Sequence, residues 1–142
     1  FSALLSGAMA KLGTYGLLRL AMPGFLDSTG YSEDPTLLYV VSMLALAGII
    51  VAALVAWLQT DFKTLQAYSS ISHLGFCVLA LCALSTLGYQ ASLLYMVNHG
   101  ISSAGMFLVL GMIEGRMGTR DMNKVGGLGR GRPRLGFFFV LF

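Results

Sequence analysis

Three ionisable side chains, Lys11, His73 and His99, stand in the middle of apolar stretches of this sequence. No Asp, Glu, Lys or Arg occurs between Thr64 and Ile113, yet both histidines lie there. Ionisable groups are costly in hydrocarbon, so they usually face a helix-bundle interior or a wet cavity and carry function. Amine and imidazole groups both gain and lose protons, so the predicted chemistry is proton transfer.

Hydroxyl groups accompany these three residues at helical spacing. Positions i±3 and i±4 share one helix face, and this spacing selects seven supporting polar residues: Thr14, Tyr15, Ser69, Ser70, Tyr95, Ser102 and Ser103. Because the three ionisable groups fall near the centres of their segments, they should share one central layer of a membrane. Packed helix axes are about 8 to 10 Å apart, so water would bridge many of the gaps. The pattern predicts a proton path within the membrane plane.

A purely structural interpretation of the same residues stays open. Lys11 could extend its stem to place the amine at an interface, and each histidine could only make a hydrogen bond that packs two helices. Under this interpretation the chain would pack a large membrane assembly and carry no protons.

The composition indicates the elements that would position these groups. Hydrophobic residues make up 56% of the 142 residues and charged residues only 11%, against about 25% charged in soluble domains. A bilayer core of about 30 Å needs roughly 20 helical residues. We therefore predict an all-α polytopic transmembrane helix bundle, one domain over 1–142, with helices at about 1–21, 37–58, 64–84 and 90–113 and the start of a fifth at 134–142.

The cations set the expected orientation. Of nine Lys and Arg residues, six lie between Arg116 and Arg134. Lys63 follows the second predicted helix and joins these six on the same side of the bundle. By the positive-inside rule, the Glu114–Arg134 linker is expected on the cytoplasmic side, or the matrix side in a mitochondrion. Because six of the nine cations lie in this one linker, the chain has no general basic surface, and we expect no nucleic acid as a partner. The apolar helices make the lipid bilayer the expected partner.

Other candidate motifs are weak. The glycine-rich "GGLGRG" at Gly126–Gly131 follows no strand, so it favours a flexible linker over a phosphate-binding loop. Cys77 and Cys82 are five residues apart in an apolar run, which suits neither a metal motif nor a disulfide. The histidines have no acid or cysteine at metal-ligand spacing. We therefore expect no conventional catalytic residue, no cofactor-binding residue and no metal site in this chain.

Four stretches resemble the antiporter-like proton-translocating subunits of respiratory complex I: "KLGTYGLLRL", "QTDFKTLQAYSSISHLGF", "MVNHGISSAGMFLVLG" and "TRDMNKVGGL". The resemblance implies a fourteen-helix fold, of which this chain would supply helices eight to eleven and the start of twelve. It also implies that Lys11 matches the family's bridging lysine, and that His73 and His99 match histidines of a hydrated central axis.

The resemblance further implies a function and its surroundings. The chain would be a non-redox subunit of a proton-pumping NADH:quinone oxidoreductase in a bacterial plasma membrane or a mitochondrial inner membrane. Flavin and iron-sulfur clusters would lie in partner subunits, and the other membrane-arm subunits would be its neighbours. The alternative is a subunit of a multi-subunit Na⁺/H⁺ antiporter or of a membrane-bound hydrogenase.

Overall fold

Helices form nearly all of the structure, a computed structural model that describes residues 5–21, 36–125 and 133–141. Helix α1 covers 5–21 and has a π-helical start, Leu5–Met9, an α-helical centre, Ala10–Gly16, and a π-helical end, Leu17–Ala21. The other helices and a short 3₁₀ turn are α2 (Thr36–Trp57), α3 (Phe62–Cys82), α4 (Thr86–Met117), the turn Met122–Lys124 and α5 (Pro133–Leu141). The described ranges contain no β-strand, and the all-α class is confirmed.

Three of the described helices are long and apolar enough to cross a membrane: Leu38–Trp57, Phe62–Cys82 and Thr86–Met117. The polytopic transmembrane class predicted from composition is therefore confirmed. Some residues of the predicted elements lie outside the described residues: 1–4 of the first predicted helix, the glycine-rich Gly126–Gly131, and 142 of the fifth predicted helix.

The helix boundaries depend on capping residues as well as on hydropathy. The Asp61 carboxylate accepts hydrogen bonds from the backbone N–H groups of Lys63 and Thr64, so α3 begins at Phe62. The helix ends at Cys82, whereas the sequence predicted a helix over 64–84. The Ser85 hydroxyl accepts from Gly88 N–H at 3.0 Å and starts α4 at Thr86. Side chains at such N-cap positions satisfy N–H groups that lack a helical partner.

Helix α4 continues beyond the apolar stretch that predicted it. It runs to Met117 and stops where Gly118 adopts the left-handed conformation at φ 67°, which glycine accepts without a Cβ clash. The helix is therefore longer at both ends than the predicted 90–113. Its last turns carry Glu114 and Arg116 out of the apolar region.

Small residues let the helices approach closely. A β-carbon at Gly75 on α3 would lie 2.6 Å from Ile49 Cγ1 on α2, and the neighbouring Ser72 hydroxyl donates to the Ile49 carbonyl at 3.1 Å. A β-carbon at Gly7 on α1 would lie 2.9 Å from Ala104 Cβ on α4. Both distances are too short for a side chain, so glycine allows the α2–α3 and α1–α4 contacts.

A polar clasp ties the α2–α3 turn to the segment that follows α4. The Glu114 carboxylate pairs with both Lys63 and Arg120. Its hydrogen bond with Arg120 raises the pKa of that guanidinium. The backbone adds an antiparallel bridge between Asp61 and Asp121. The turn and the linker therefore lie at one end of the bundle, which we call the basic face.

Candidate functional site

Lys11 lies on α1 and is 9% exposed. Its amine Nζ donates a hydrogen bond to the carbonyl oxygen of Ser6. The buried Thr14 hydroxyl donates to the Lys11 carbonyl at 3.0 Å and also lies 3.4 Å from the Met96 sulfur on α4. The lysine is therefore held inside the helix contact, in agreement with its predicted position in the bundle interior.

Three serine hydroxyls from three helices meet beside Lys11. Ser6 Oγ on α1 lies 2.6 Å from Ser103 Oγ on α4 and 3.3 Å from Ser70 Oγ on α3. The Ser70 and Ser103 hydroxyls are themselves 3.3 Å apart. Because each hydroxyl can both donate and accept, this serine triad can pass a proton in either direction among the three helices.

The two histidines and a tyrosine form a second group at the α3–α4 interface. His73 Nδ1 lies 2.6 Å from the Tyr95 hydroxyl. The ring centroids of His73 and His99 are 5.0 Å apart, and those of Tyr95 and His99 are 6.4 Å apart. His99 Nε2 is buried and has no hydrogen-bond partner in the part of the chain that the structure describes. The group contains two imidazoles and a phenol, which are three proton-exchanging side chains.

The serine triad and the histidine group are adjacent on the same two helices. Ser70 precedes His73 by three residues on α3, and His99 precedes Ser103 by four residues on α4. Residues at those spacings share a helix face. Lys11 completes the group, because a β-carbon at Gly100, the residue after His99, would lie 4.0 Å from Lys11 Cε. The structure thus brings Lys11, His73 and His99 into one region.

The remaining predicted polar residues occupy different surroundings. The Tyr15 side chain is 49% exposed and lies at the edge of the α1–α4 groove. Ser69 faces the groove between α2 and α3, away from the serine triad. Ser102 lies half-buried on α4, one residue before the triad member Ser103.

Ser6 belongs to the site but is missed by the spacing rule. Counting at i±3 and i±4 from Lys11 selects Gly7, Ala8, Thr14 and Tyr15, and omits position i−5. The first turn of α1 is π-helical, and the π-helix pairs residues five apart. Ser6 and Lys11 therefore share a face. Leu5–Met9 contains no charged residue, and nothing in its sequence predicts the wider π turn.

The site shows no arrangement typical of metal binding. Within the described residues, no three His, Cys, Asp or Glu side chains lie close enough to hold a metal ion. Cys77 and Cys82 are free, and Cys77 packs with Leu81 and Met96 in an apolar cluster. The chemistry available from the described residues is proton exchange among hydroxyl, amine and imidazole groups.

Comparison with known proteins gives a match along the whole chain. Residues 1–142 match the family described as "NADH:quinone oxidoreductase/Mrp antiporter, TM". The chain is similar to NADH-quinone oxidoreductase subunit M of Escherichia coli strain K12, with 37% identity over 140 residues, 96% of this chain and 26% of that protein. For subunit M of Mycobacterium tuberculosis strain H37Rv the identity is 37% over 140 residues, 99% of this chain and 24% of that protein.

A relative with a different printed name has a similar identity to this chain. NADH-ubiquinone oxidoreductase chain 4 of Chondrus crispus is 35% identical over 141 residues, which cover 99% of this chain and 28% of that protein. The chain therefore spans about a quarter of the length of the curated relatives it matches.

Proposed function

We propose that this chain, which belongs to the NADH:quinone oxidoreductase/Mrp antiporter transmembrane family, carries protons as part of the antiporter-like subunit M of an NADH:quinone oxidoreductase. In this proposal Lys11 is the switchable bridge, and His73 and His99 are the relays. The serine triad and Tyr95 connect them, together with water.

One observation carries the proposal. Polar side chains from α1, α3 and α4 lie in one region: Lys11 donates to the Ser6 carbonyl, the serine hydroxyls are hydrogen-bonded to one another, and His73 pairs with Tyr95 about one helical turn away. Buried polar groups in a membrane are costly unless they are paired or functional. Three serines would satisfy a packing role alone, but two adjacent imidazoles and a buried amine supply exchangeable protons that packing does not need.

We further propose that this chain performs no redox chemistry. The relatives' names describe oxidoreductases of NADH and quinone, and the described residues here offer proton-exchanging groups. Flavin, iron-sulfur clusters and the quinone reaction would then belong to other subunits. Those subunits and the neighbouring antiporter-like subunits would be the partners of this chain.

The proposed location is a bacterial plasma membrane or a mitochondrial inner membrane. Membrane-spanning helices and family membership support a membrane. The basic face, with Lys63, Arg116, Arg120 and Lys124, would lie on the cytoplasmic or matrix side by the positive-inside rule.

A Lys11→Ala variant of the full-length subunit in its native complex tests the proposal. We expect proton pumping in inverted vesicles to fall at least tenfold, because a positioned proton-exchanging group typically contributes about 10² to 10⁴ in rate. Arg19→Ala is the matched control, since Arg19 is an exposed cation on the same helix. If the complex assembles and the Lys11 variant pumps a normal number of protons per electron, the proposed role is wrong.

The alternative function is a subunit of a Na⁺/H⁺ antiporter or of a membrane-bound hydrogenase. The family description supports its antiporter form, because it includes the Mrp antiporter. Purification of the native complex separates the two. Co-purifying flavin and iron-sulfur subunits with NADH oxidation would support the first function, whereas sodium transport without them would support the antiporter.

A further inference from the structure

The His73 side chain lies next to α4 on one side of α3 and next to a groove on the other side. Its Nδ1 faces Tyr95 on α4 at 2.6 Å, and the same imidazole lines a groove of about 360 Å³ between α3 and α2. The histidine group described above uses only the α4 side. The proposed proton path does not use the groove on the α2 side.

Polar groups follow one another along this groove. Ser69, Ser72 and His73 line it within little more than one helical turn. The Ser72 hydroxyl already donates a hydrogen bond to the Ile49 carbonyl at 3.1 Å. Ser69 makes no hydrogen bond to another described residue, and a hydroxyl in hydrocarbon costs free energy unless it is hydrogen-bonded. Water in the groove would satisfy it.

Small residues on the α2 side keep the groove open. Ala53 and Ala56 line the groove on the α2 side, and their methyl groups occupy little of its volume. None of the described residues that line the groove lies beyond His73 on α3, and the tight contact of Gly75 with Ile49 follows two residues later. The groove therefore ends at the imidazole and does not continue across the membrane.

The outer end of the groove lies at the basic face. Trp57, at the last turn of α2, lines the groove and is 87% exposed, and tryptophan concentrates at membrane interfaces. Lys63, in the first turn of α3, belongs to the polar clasp. His73 is eleven residues beyond Phe62, so it lies about 16 Å from the start of α3 at 1.5 Å per residue, or about half of a 30 Å hydrocarbon core.

We propose that the groove between α2 and α3 is a water-filled branch that connects the basic face to His73. A proton arriving from water would bind the imidazole at Nε2, and the proton on Nδ1 would pass to the Tyr95 oxygen as the phenol gives its own proton, through water, to the His99 imidazole, whose ring centroid is 6.4 Å from that of Tyr95. The imidazole thus gains one proton and releases one. This inference rests on the proposed function, because the relay must exist for the branch to feed it.

Cysteine labelling tests the branch without measuring pumping. A Ser69→Cys variant of the full-length subunit, in the intact complex, is treated with a membrane-impermeant methanethiosulfonate that carries a quaternary ammonium. The thiolate is the reactive form, so modification requires water at residue 69. Ile71→Cys is the matched control, because Ile71 lies two residues away on another face of α3 and is 53% exposed.

We expect reagent supplied to the basic face of inverted vesicles to modify the Ser69→Cys protein at least ten times faster than the Ile71→Cys protein, read by mass spectrometry of the chymotryptic peptides. Adding Ala53→Phe on the opposite wall should slow the modification of residue 69 several-fold. Equal rates at residues 69 and 71, access from the opposite membrane face alone, or no effect of Ala53→Phe would each overturn the branch.

The two proposals fail in different ways. If Lys11→Ala abolishes pumping but residue 69 is not modified, the relay stands and the branch is wrong. If residue 69 is modified as expected but Lys11→Ala pumps normally, the groove is hydrated but feeds no relay, and the proposed function is wrong.

Discussion

At the scale of single residues, the site depends on how α1 presents Lys11. The amine is turned back onto the Ser6 carbonyl, which places the charge beside the serine triad. A π turn pairs residues five apart, so Ser6 and Lys11 share one face and the Lys11 amine can reach the Ser6 carbonyl. The irregular start of α1 thus supplies an acceptor for the amine within the same helix.

The Tyr95 hydroxyl is hydrogen-bonded to His73, the imidazole proposed as a relay. Tyr95→Phe removes the hydroxyl 2.6 Å from His73 Nδ1 and keeps the ring. We expect the pumping rate to fall about fivefold, the rate equivalent of about 1 kcal/mol for one hydrogen bond. Tyr39→Phe, which alters an exposed tyrosine on α2, should leave the rate unchanged. Equal pumping rates in the two variants would contradict the assignment.

At the scale of helices, the contact between α1 and α4 positions Lys11 against the serine triad. Gly7 and Gly100 face each other there, and a β-carbon at Gly100 would lie 3.1 Å from the Gly7 carbonyl oxygen. The distance between these two helices therefore fixes the 2.6 Å contact of Ser6 with Ser103.

Gly7→Ala should push α1 away from α4. The added carbon would lie 2.9 Å from Ala104 Cβ, and overpacking typically costs about 1 to 3 kcal/mol. We expect a lower thermal stability of the complex and slower pumping. Gly13→Ala is the control on the same helix, because a β-carbon there meets nothing within 4 Å. The double variant Gly7→Ala with Ala104→Gly should recover part of the loss, and no recovery would show that the contact is not the cause.

Helix positions and boundaries differ in how well the sequence predicts them. Apolar stretches predicted α2, α3 and α4, because a lipid-spanning helix must be long and apolar. The ends of α3 and α4 were shifted because Asp61, Ser85 and Gly118 fix them through hydrogen bonds and a left-handed turn. Ser6 was missed because a local change from α to π geometry leaves no mark in the pattern of polar residues.

At the scale of the whole chain, the polar clasp holds the loops of the basic face together. Glu114, near the end of α4, joins Lys63 in the first turn of α3 to Arg120, which follows α4. The placement of the α2–α3 turn beside the linker agrees with the prediction that Lys63 and the linker cations lie on the same side of the bundle. The clasp itself could not be predicted, because it depends on α4 extending four residues beyond its apolar stretch.

Glu114→Gln should loosen this clasp. The neutral amide cannot pair with two cations, so the segment around Asp121 should open more often. We expect faster tryptic cleavage after Arg120 and Lys124 in inverted vesicles. Added salt should change the cleavage rate of this variant less than it changes the cleavage rate of the native protein. Arg116→Gln removes a charge from the same helix end without touching the clasp and should cleave at the native rate. Equal cleavage rates in the two variants would mean that the ion pairs do not hold the segment.

The central claim, that these side chains carry protons and do not only pack the bundle, is tested most directly at His73. His73→Gln keeps an amide that can hydrogen-bond to Tyr95 but cannot exchange a proton near neutral pH. The measurement is the number of protons pumped per electron by the assembled complex in inverted vesicles. A strongly reduced ratio is the predicted result, and a normal ratio would show that His73 serves only as a hydrogen-bonding contact between α3 and α4.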